Sequence, residues 1–380
     1  MEDKIIWIPP FLTYKEEWGE RKGGVDRITK TVKNIDAIDY KLMEATQKRL
    51  DNLTKPLGSL GRLEELAKLC VGITRKENPV LKNKVIFTLA ADHGVTDEGV
   101  SAYPKEVTAQ MVYNFIRGGA GINVLARHTG ARVVVVDMGV AEKIKYQKSK
   151  FKNFKDKKIN YGTKNITKGP AMSREEAIRS IETGIEVFEE EFKKGIDIVG
   201  TGDMGIGNTT PSSAITSIIT GKPAETVTGR GTGIDDKTLF CKIEAIKKAI
   251  KVNRPDPKNG IDVLSKVGGF EIGGLAGVIL AAASRRIPVV IDGFISGAAA
   301  LIAYQLEPEV KDYMIAAHCS AEKSHKVALD YMGLKPILDL DLRLGEGTGA
   351  ALGISIVEAA VKILTQMATF QDAGVSKKEE

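Results

Sequence analysis

Two glycine-rich segments hold the residues best suited to chemistry. Glu346 stands in Gly345-Glu346-Gly347-Thr348-Gly349, just ahead of an apolar run from Ala350 to Met367. Glycine on both sides exposes the carboxylate and lets a planar ligand approach the backbone. The acid therefore reads as a general base, with a helix-start cap as the structural alternative. The second segment, Gly200-Thr-Gly202-Asp-Met-Gly205-Ile-Gly207-Asn208-Thr209-Thr210, precedes a helix expected over Thr210 to Thr220. It contains G-x-G-x-x-G, but no strand closing on an acid follows about 20 residues on, which disfavours a dinucleotide. As a Walker frame from Gly202 to Gly207 it carries Asn208 where lysine must reach the phosphates, which disfavours nucleoside triphosphate hydrolysis. What survives is close backbone approach and free amides at a helix start, with the donors of Asn208, Thr209 and Thr210 beside them, and a single phosphate is the natural guest.

The remaining reactive residues form no familiar constellation. His93, His318 and His325 include no pair at i, i+4, and no Cys-x-x-Cys occurs, so a site without metal or cofactor is expected. His93, beside Asp92, reads as a structural histidine. The absence of a G-x-S-x-G elbow argues against Ser-His-Asp hydrolysis. Cys70, Cys241 and Cys319 are odd in number and far apart, which points away from a disulfide framework and toward a reducing cytoplasm.

The elements that must position these residues alternate. Short β-branched runs at Val85–Ala90, Val133–Val136, Ile196–Val199, Pro288–Ile291, Tyr313–Ala317 and Ile337–Leu342 are each followed by a polar or glycine-rich turn. Helical segments intervene, so the pattern predicts βαβ units and a parallel sheet covered by helices. Ligands of such sheets sit outside the carboxyl ends of the strands. Those ends carry Asp92-His93, Asp137, Gly200-Thr-Gly-Asp203, Asp292, His318 with Ser320, and Gly345-Glu346-Gly347. Polar groups thus converge on one edge, the default site of an enzyme acting on a small polar ligand. Helices are also expected within Asp36–Leu53 and over Leu60–Ile73, joined by a Pro-Gly turn at Lys55–Ser59.

Composition excludes several classes. The 380 residues are 43% hydrophobic and 27% charged, an ordinary globular mixture too long for a typical single domain. Apolar stretches such as Gly273–Ala283 and Ile287–Leu306 are short or interrupted by Arg285, Arg286 and Asp292, so no membrane span is expected, and the start of the chain lacks a secretory h-region. The net charge of +6 comes from Lys143–Lys158, whose eight lysines and one aspartate give +7. With Tyr146, Phe151 and Phe154 interleaved, that segment suits a nucleic-acid contact. A solvated surface excursion is the preferred reading, because no second basic patch joins it.

Several segments, in order from about Asp36 to Met367, resemble one family. They are Lys55-Pro-Leu-Gly-Ser-Leu-Gly-Arg-Leu-Glu64, Asp92-His-Gly-Val95, Gly99-Val-Ser-Ala-Tyr-Pro104, Val107-Thr-Ala-Gln110-Met, Gly202–Thr210, Gly229-Arg-Gly-Thr-Gly-Ile-Asp235 and Leu342–Ala351. Together they look like the nicotinate-nucleotide:dimethylbenzimidazole phosphoribosyltransferases. The resemblance implies that nicotinate mononucleotide and 5,6-dimethylbenzimidazole give α-ribazole 5′-phosphate and nicotinate, with Glu346 as catalytic base. It further implies that Gly202, Asp203, Met204, Gly205, Ile206, Gly207, Asn208 and Thr209 hold the phosphoribosyl group. Lys242 and Ser320 would contact the phosphate, and Asp292 would lie beside the nucleotide. Ser101, Tyr103, Gln110 and Leu344 would line the base pocket. The family commonly carries Glu at the position of Asp203, which is expected to bind substrate here and not to act as a base.

The implied fold is a Rossmann-like α/β domain with a small helical domain built from both chain ends, in a homodimer whose partner helps complete the site. On this chain the divisions are an extension at 1–35, helical parts at 36–75 and 348–370, the α/β domain at 76–347, and a flexible tail at 371–380. The competing readings are a transferase of the same mechanism for another azole, purine or phenol, a non-catalytic nucleotide sensor, and a nucleic-acid-binding protein.

Overall fold

The computed structural model describes residues 27–146, 153–231 and 233–376. Six strands form one wholly parallel sheet: β1 (Lys84–Ala91), β2 (Arg132–Gly139), β3 (Phe154–Asp156), β4 (Ile198–Met204), β5 (Val289–Ile291) and β6 (Met314–Ala316). Their spatial order is β3-β2-β1-β4-β5-β6. The chain therefore winds outward from β1 in one direction and then returns to wind outward from β4 in the other. The reversal opens a crevice between the carboxyl ends of β1 and β4.

Both faces of the sheet are buried, and the period-2 alternation of a strand decides which residues face which layer. Val85, Phe87 and Leu89 point into one core with the helices Arg174–Phe192, Phe270–Ser284 and Phe294–Leu306. Ile86 and Ala90 point into the other, with Arg62–Thr74, Val107–Arg117, Gly121–Thr129 and Thr348–Gln366. Among the described residues, Thr348–Gln366 alone is long and apolar enough to cross a membrane. Its Ala350, Ile354, Val357 and Leu364 are buried in the second core.

The chain ends meet on that second face. Leu53 bridges Thr369, and the Thr54 amide donates to the Ala368 carbonyl at 3.0 Å. The helices Tyr40–Asp51, Arg62–Thr74 and Thr348–Gln366 lie together there, and their apolar cluster is continuous with the sheet through Ile86, Ile198 and Val290.

Several sequence expectations change. Residues 1–26, including both tryptophans, lie outside the described residues. The rest of the expected surface extension is not peripheral, because Arg27–Val32 is helical and Ile28 and Ile35 are buried in the first core. At the other end the expected flexible tail begins as a short capped helix, Phe370–Ala373. The lysine-rich segment is not a solvated excursion throughout, since it contains β3. Phe154 packs edge-on against Tyr146, with ring centroids 4.4 Å apart. Lys155 and Lys157 pair with Glu186, Glu190 and Glu191 of one helix, and Lys158 pairs with Asp137 at 2.7 Å. The run Ile337–Leu342 shrinks to a two-residue strand, β8 (Leu338–Asp339). It pairs with β7 (His318–Cys319) outside the main sheet.

Candidate active site

The segment expected as a turn after a strand, Gly200 to Asp203, is itself strand. β4 runs on to Met204 and pairs with β1 through Leu89↔Asp203 and Ala90↔Met204. The turn proper is Gly205–Asn208, and the helix Thr209–Thr220 starts immediately after it. No side chain caps that helix, and the side-chain Nδ2 of Asn208 donates to Asp203 Oδ2 at 2.9 Å. Within its first turn the Thr210 amide donates to the Gly207 carbonyl at 3.0 Å and Pro211 has no N–H, so the Thr209 amide is the one left for a ligand, and an anion suits it.

Ser101, Gly205, Ile206, Gly207, Asn208, Thr209 and Lys242 share one narrow cleft, with Arg230 and Gly231 on its other wall. Lys242 comes from the helix Asp236–Asn253 and is only 1% exposed. Its Nζ donates to Thr209 Oγ1 at 2.8 Å and to the Gly229 carbonyl at 3.2 Å. Burial lowers its pKa to about 8 against the pull of the nearby Glu322. This is a cation placed at an uncapped helix start.

Glu346 is held by three parts of the fold. Its carbonyl accepts from Thr88 Oγ1 of β1 at 2.9 Å, and its amide donates to the Asp203 carbonyl of β4 at 3.2 Å. Its carboxylate Oε2 accepts from the Ile122 amide at 3.1 Å, at the start of the helix Gly121–Thr129. The residue is 3% exposed and sits at φ +63°, a left-handed conformation that is uncommon outside glycine. Strain of this kind persists only where the surroundings impose it, and it gathers at functional sites. Burial raises the carboxyl above the ordinary glutamate value, and the Ile122 amide takes part of that back. A raised carboxyl pKa makes a stronger base than an ordinary glutamate.

Asp203 and Asp292 behave differently from Glu346. Asp203 is buried with Oδ1 unpartnered, and burial and the neighbouring Asp292 push its pKa well above the ordinary aspartate value while Asn208 opposes them. Its charged form is thus strongly disfavoured compared with an ordinary aspartate. Asp292 is wholly buried, and its Oδ2 and Oδ1 accept from the amides of Gly347 (3.1 Å) and Ala350 (2.8 Å). Burial raises it to about 7, against those amides. Its position is beneath the Glu346 loop, where it anchors the loop.

The other expected residues are spread out. Ser320 Oγ donates to the Leu342 carbonyl at 3.2 Å, and its amide donates to Nδ1 of the neutral His325. It does not line the Lys242 cleft. Leu344 is 60% exposed and flanks the Glu346 carboxylate: a Cβ added at Gly121 would lie 3.0 Å from Leu344 Cδ2 and 3.3 Å from Glu346 Oε2. Tyr103 and Gln110 are exposed, and the Tyr103 amide donates to Ser101 Oγ at 3.3 Å. Arg230 was absent from the expected set, although the signal for it was present. It lies between Gly229 and Gly231, the same pattern that singles out Glu346. Among the described residues no three His, Cys, Asp or Glu side chains group to hold a metal ion.

A buried acid and an anion-suited helix start, joined at the switch point of a doubly wound sheet, define an α/β protein built to act on a small phosphorylated ligand. Residues 35–375 match the model of a phosphoribosyltransferase family. A nicotinate-nucleotide–dimethylbenzimidazole phosphoribosyltransferase of Desulforudis audaxviator is 60% identical over 353 residues, 93% of this chain and 99% of the relative. One from Geobacter sulfurreducens is 56% identical over 356 residues, 92% and 98% of the two chains. The crystal structure of CobT from Thermus thermophilus superposes with a TM-score of 0.85 at 42% identity, covering 89% of this chain and all of that one. The chain belongs to this phosphoribosyltransferase family.

Proposed function

We propose that the protein transfers the 5-phosphoribosyl group of nicotinate mononucleotide to 5,6-dimethylbenzimidazole. One ring nitrogen of the azole attacks C1′ as the bond from C1′ to the pyridinium nitrogen breaks. The bonding pair stays with the pyridine nitrogen, so nicotinate leaves with a neutral ring and needs no general acid. The proton on the other azole nitrogen passes to Glu346, which keeps positive charge from building up on the acceptor. Attack opposite the leaving group inverts C1′ and gives the α-ribotide.

The observation that carries this reading is the Glu346 carboxylate itself. It is buried, raised in pKa, and held in a left-handed conformation by β1, β4 and the helix at Gly121. A solvated helix cap needs none of these. The relatives named for this reaction, matched over nearly the whole chain, supply the substrates. In this reading the phosphoribosyl group lies along Gly202–Thr209 with its phosphate toward Lys242, and Asp203 contacts the substrate. Asp292 positions Glu346 without touching the nucleotide. The azole stacks at Leu344, with Ser101, Tyr103 and Gln110 around it. These last residues are partly or fully exposed in the single chain, which supports a homodimer in which a second copy covers that rim.

The test is a product assay with both substrates, read by mass spectrometry of the ribotide and NMR of its anomeric carbon. An α-ribotide made by wild type and lost in Glu346→Gln supports the proposal. A wild type that binds the nucleotide but releases no nicotinate with any azole overturns it.

A further inference from the structure

The cleft beside the Gly205–Thr209 turn has an unbalanced charge count. Its buried cation, Lys242, lies within electrostatic reach of a buried carboxylate, Glu322. Glu322 Oε2 has no hydrogen-bond partner, and the chain at Gly229 crosses directly over it, so that a Cβ there would stand 1.9 Å from that oxygen. A phosphate monoester brings a charge of about −1.5 to −2 at neutral pH. A floor whose own charges nearly cancel cannot balance it, and an uncompensated buried charge is strongly unfavourable. A second cation is required.

Arg230 lines the same cleft. Its NH1 donates to the Ile234 carbonyl at 2.9 Å, and its NH2 pairs with Asp236, whose side chain is 91% exposed. Exposed pairs of this kind contribute little and are easily exchanged. A planar guanidinium offers two parallel donors to a phosphate, which a solvated carboxylate at the rim matches poorly once a buried dianion competes. The segment that carries Arg230 is built to adjust, with Gly231 at φ +55° and Gly233 at φ +106°. The Gly231 carbonyl is tethered by Arg343 NH1 at 3.2 Å, so adjustment there leaves the loop attached.

We propose that Arg230 is a phosphate-binding residue held in reserve by Asp236: when the nucleotide enters, the guanidinium leaves the Asp236 carboxylate and closes on the substrate phosphate opposite Lys242. The inference rests on reading the cleft as the phosphate subsite. It adds a residue and an exchange of partners to that reading. Asp236 is thereby a competitor of the substrate, and removing it strengthens binding.

The experiment compares Arg230→Met, Asp236→Asn and the double variant by steady-state kinetics with nicotinate mononucleotide varied. Calorimetric binding of the same nucleotide runs in parallel. Arg230→Met is expected to raise KM and Kd about 10- to 100-fold with kcat little changed, the size of a lost charge-assisted hydrogen bond. Asp236→Asn is expected to lower both by about two- to five-fold, and to do nothing in the Arg230→Met background. If Asp236→Asn weakens binding as Arg230→Met does, the pair is a strut of the loop and the exchange is refuted. Unchanged nucleotide affinity in Arg230→Met refutes it equally. If wild type binds the nucleotide without turnover, the transferase reading fails on its own, and the calorimetry still decides the role of Arg230. A wild type that binds no nucleotide overturns both.

Discussion

Replacing Gly202 by alanine is expected to slow phosphoribosyl transfer by about 100-fold at saturating substrates. A Cβ at this position would lie 2.3 Å from the Glu346 carbonyl oxygen and 2.6 Å from its carbon, whereas ordinary contact begins near 3.4 Å. The Glu346 loop must then retreat by about 1 Å, a displacement of the kind that costs about 100-fold when reacting atoms must meet at 3–3.5 Å. No flexible side-chain end can absorb the overlap, since the atoms struck are backbone. They are pinned by Thr88 on one side and by Asp292 through Gly347 on the other. The accompanying loss of stability is about 1–3 kcal/mol, typical of overpacking. The assay is initial-rate kinetics with both substrates, alongside urea unfolding. Gly169→Ala is the control, because nothing lies within 4 Å of its new methyl. A folded Gly202→Ala protein whose kcat stays within about three-fold of wild type would refute the idea that the loop's position sets the rate.

Glu346→Gln is expected to lower kcat by about 10²- to 10⁴-fold, the usual worth of a general base, while calorimetry finds the nucleotide still bound. The pH profile should have two limbs. kcat rises with pH through a midpoint above the ordinary glutamate value as Glu346 ionises, and kcat/KM for the nucleotide falls above about pH 8 as Lys242 loses its proton. A profile flat from pH 5 to 9 would contradict both assignments. Asp292→Asn keeps one acceptor oxygen for two backbone amides, so unfolding experiments are expected to show a loss of about 1–3 kcal/mol, with a lowered kcat and an unchanged nucleotide KM. Fluorescence anisotropy with labelled RNA should show no steep salt dependence, since Lys155, Lys157 and Lys158 are already committed to acids of the same chain.

The sheet was legible wherever β-branched residues ran without interruption, as at Val85–Ala90 and Val133–Val136. Legibility failed where long-range partners override local composition. β3 lies among lysines whose counter-charges arrive 29 to 36 residues later, at Glu186, Glu190 and Glu191, so its sequence alone reads as solvated surface. Gly200, Gly202 and Asp203 read as a turn by local preference, yet they continue β4. Glycine is needed at 202 because the Glu346 backbone lies against it, a contact between residues distant in sequence. In the candidate site, the glycine-flanked acid and the helix start could be seen from residue types alone. The anchoring role of Asp292 could not, because an acid at a strand end looks the same whether it faces a ligand or the amides of Gly347 and Ala350.

The three-way clamp on Glu346 has a consequence for how such an enzyme can diversify. The base hangs from β1, β4 and the helix at Gly121, and buried Asp292 after β5 fixes the adjoining Gly347. The side chains proposed to meet the acceptor, Tyr103, Gln110 and Leu344, project from the exposed rim. Mutational drift is tolerated at a rim and punished in a central sheet. Acceptor preference can therefore wander between lineages while the proton-transfer step remains fixed, and a library confined to those three positions is the natural place to seek a changed appetite for azoles without rebuilding the catalyst.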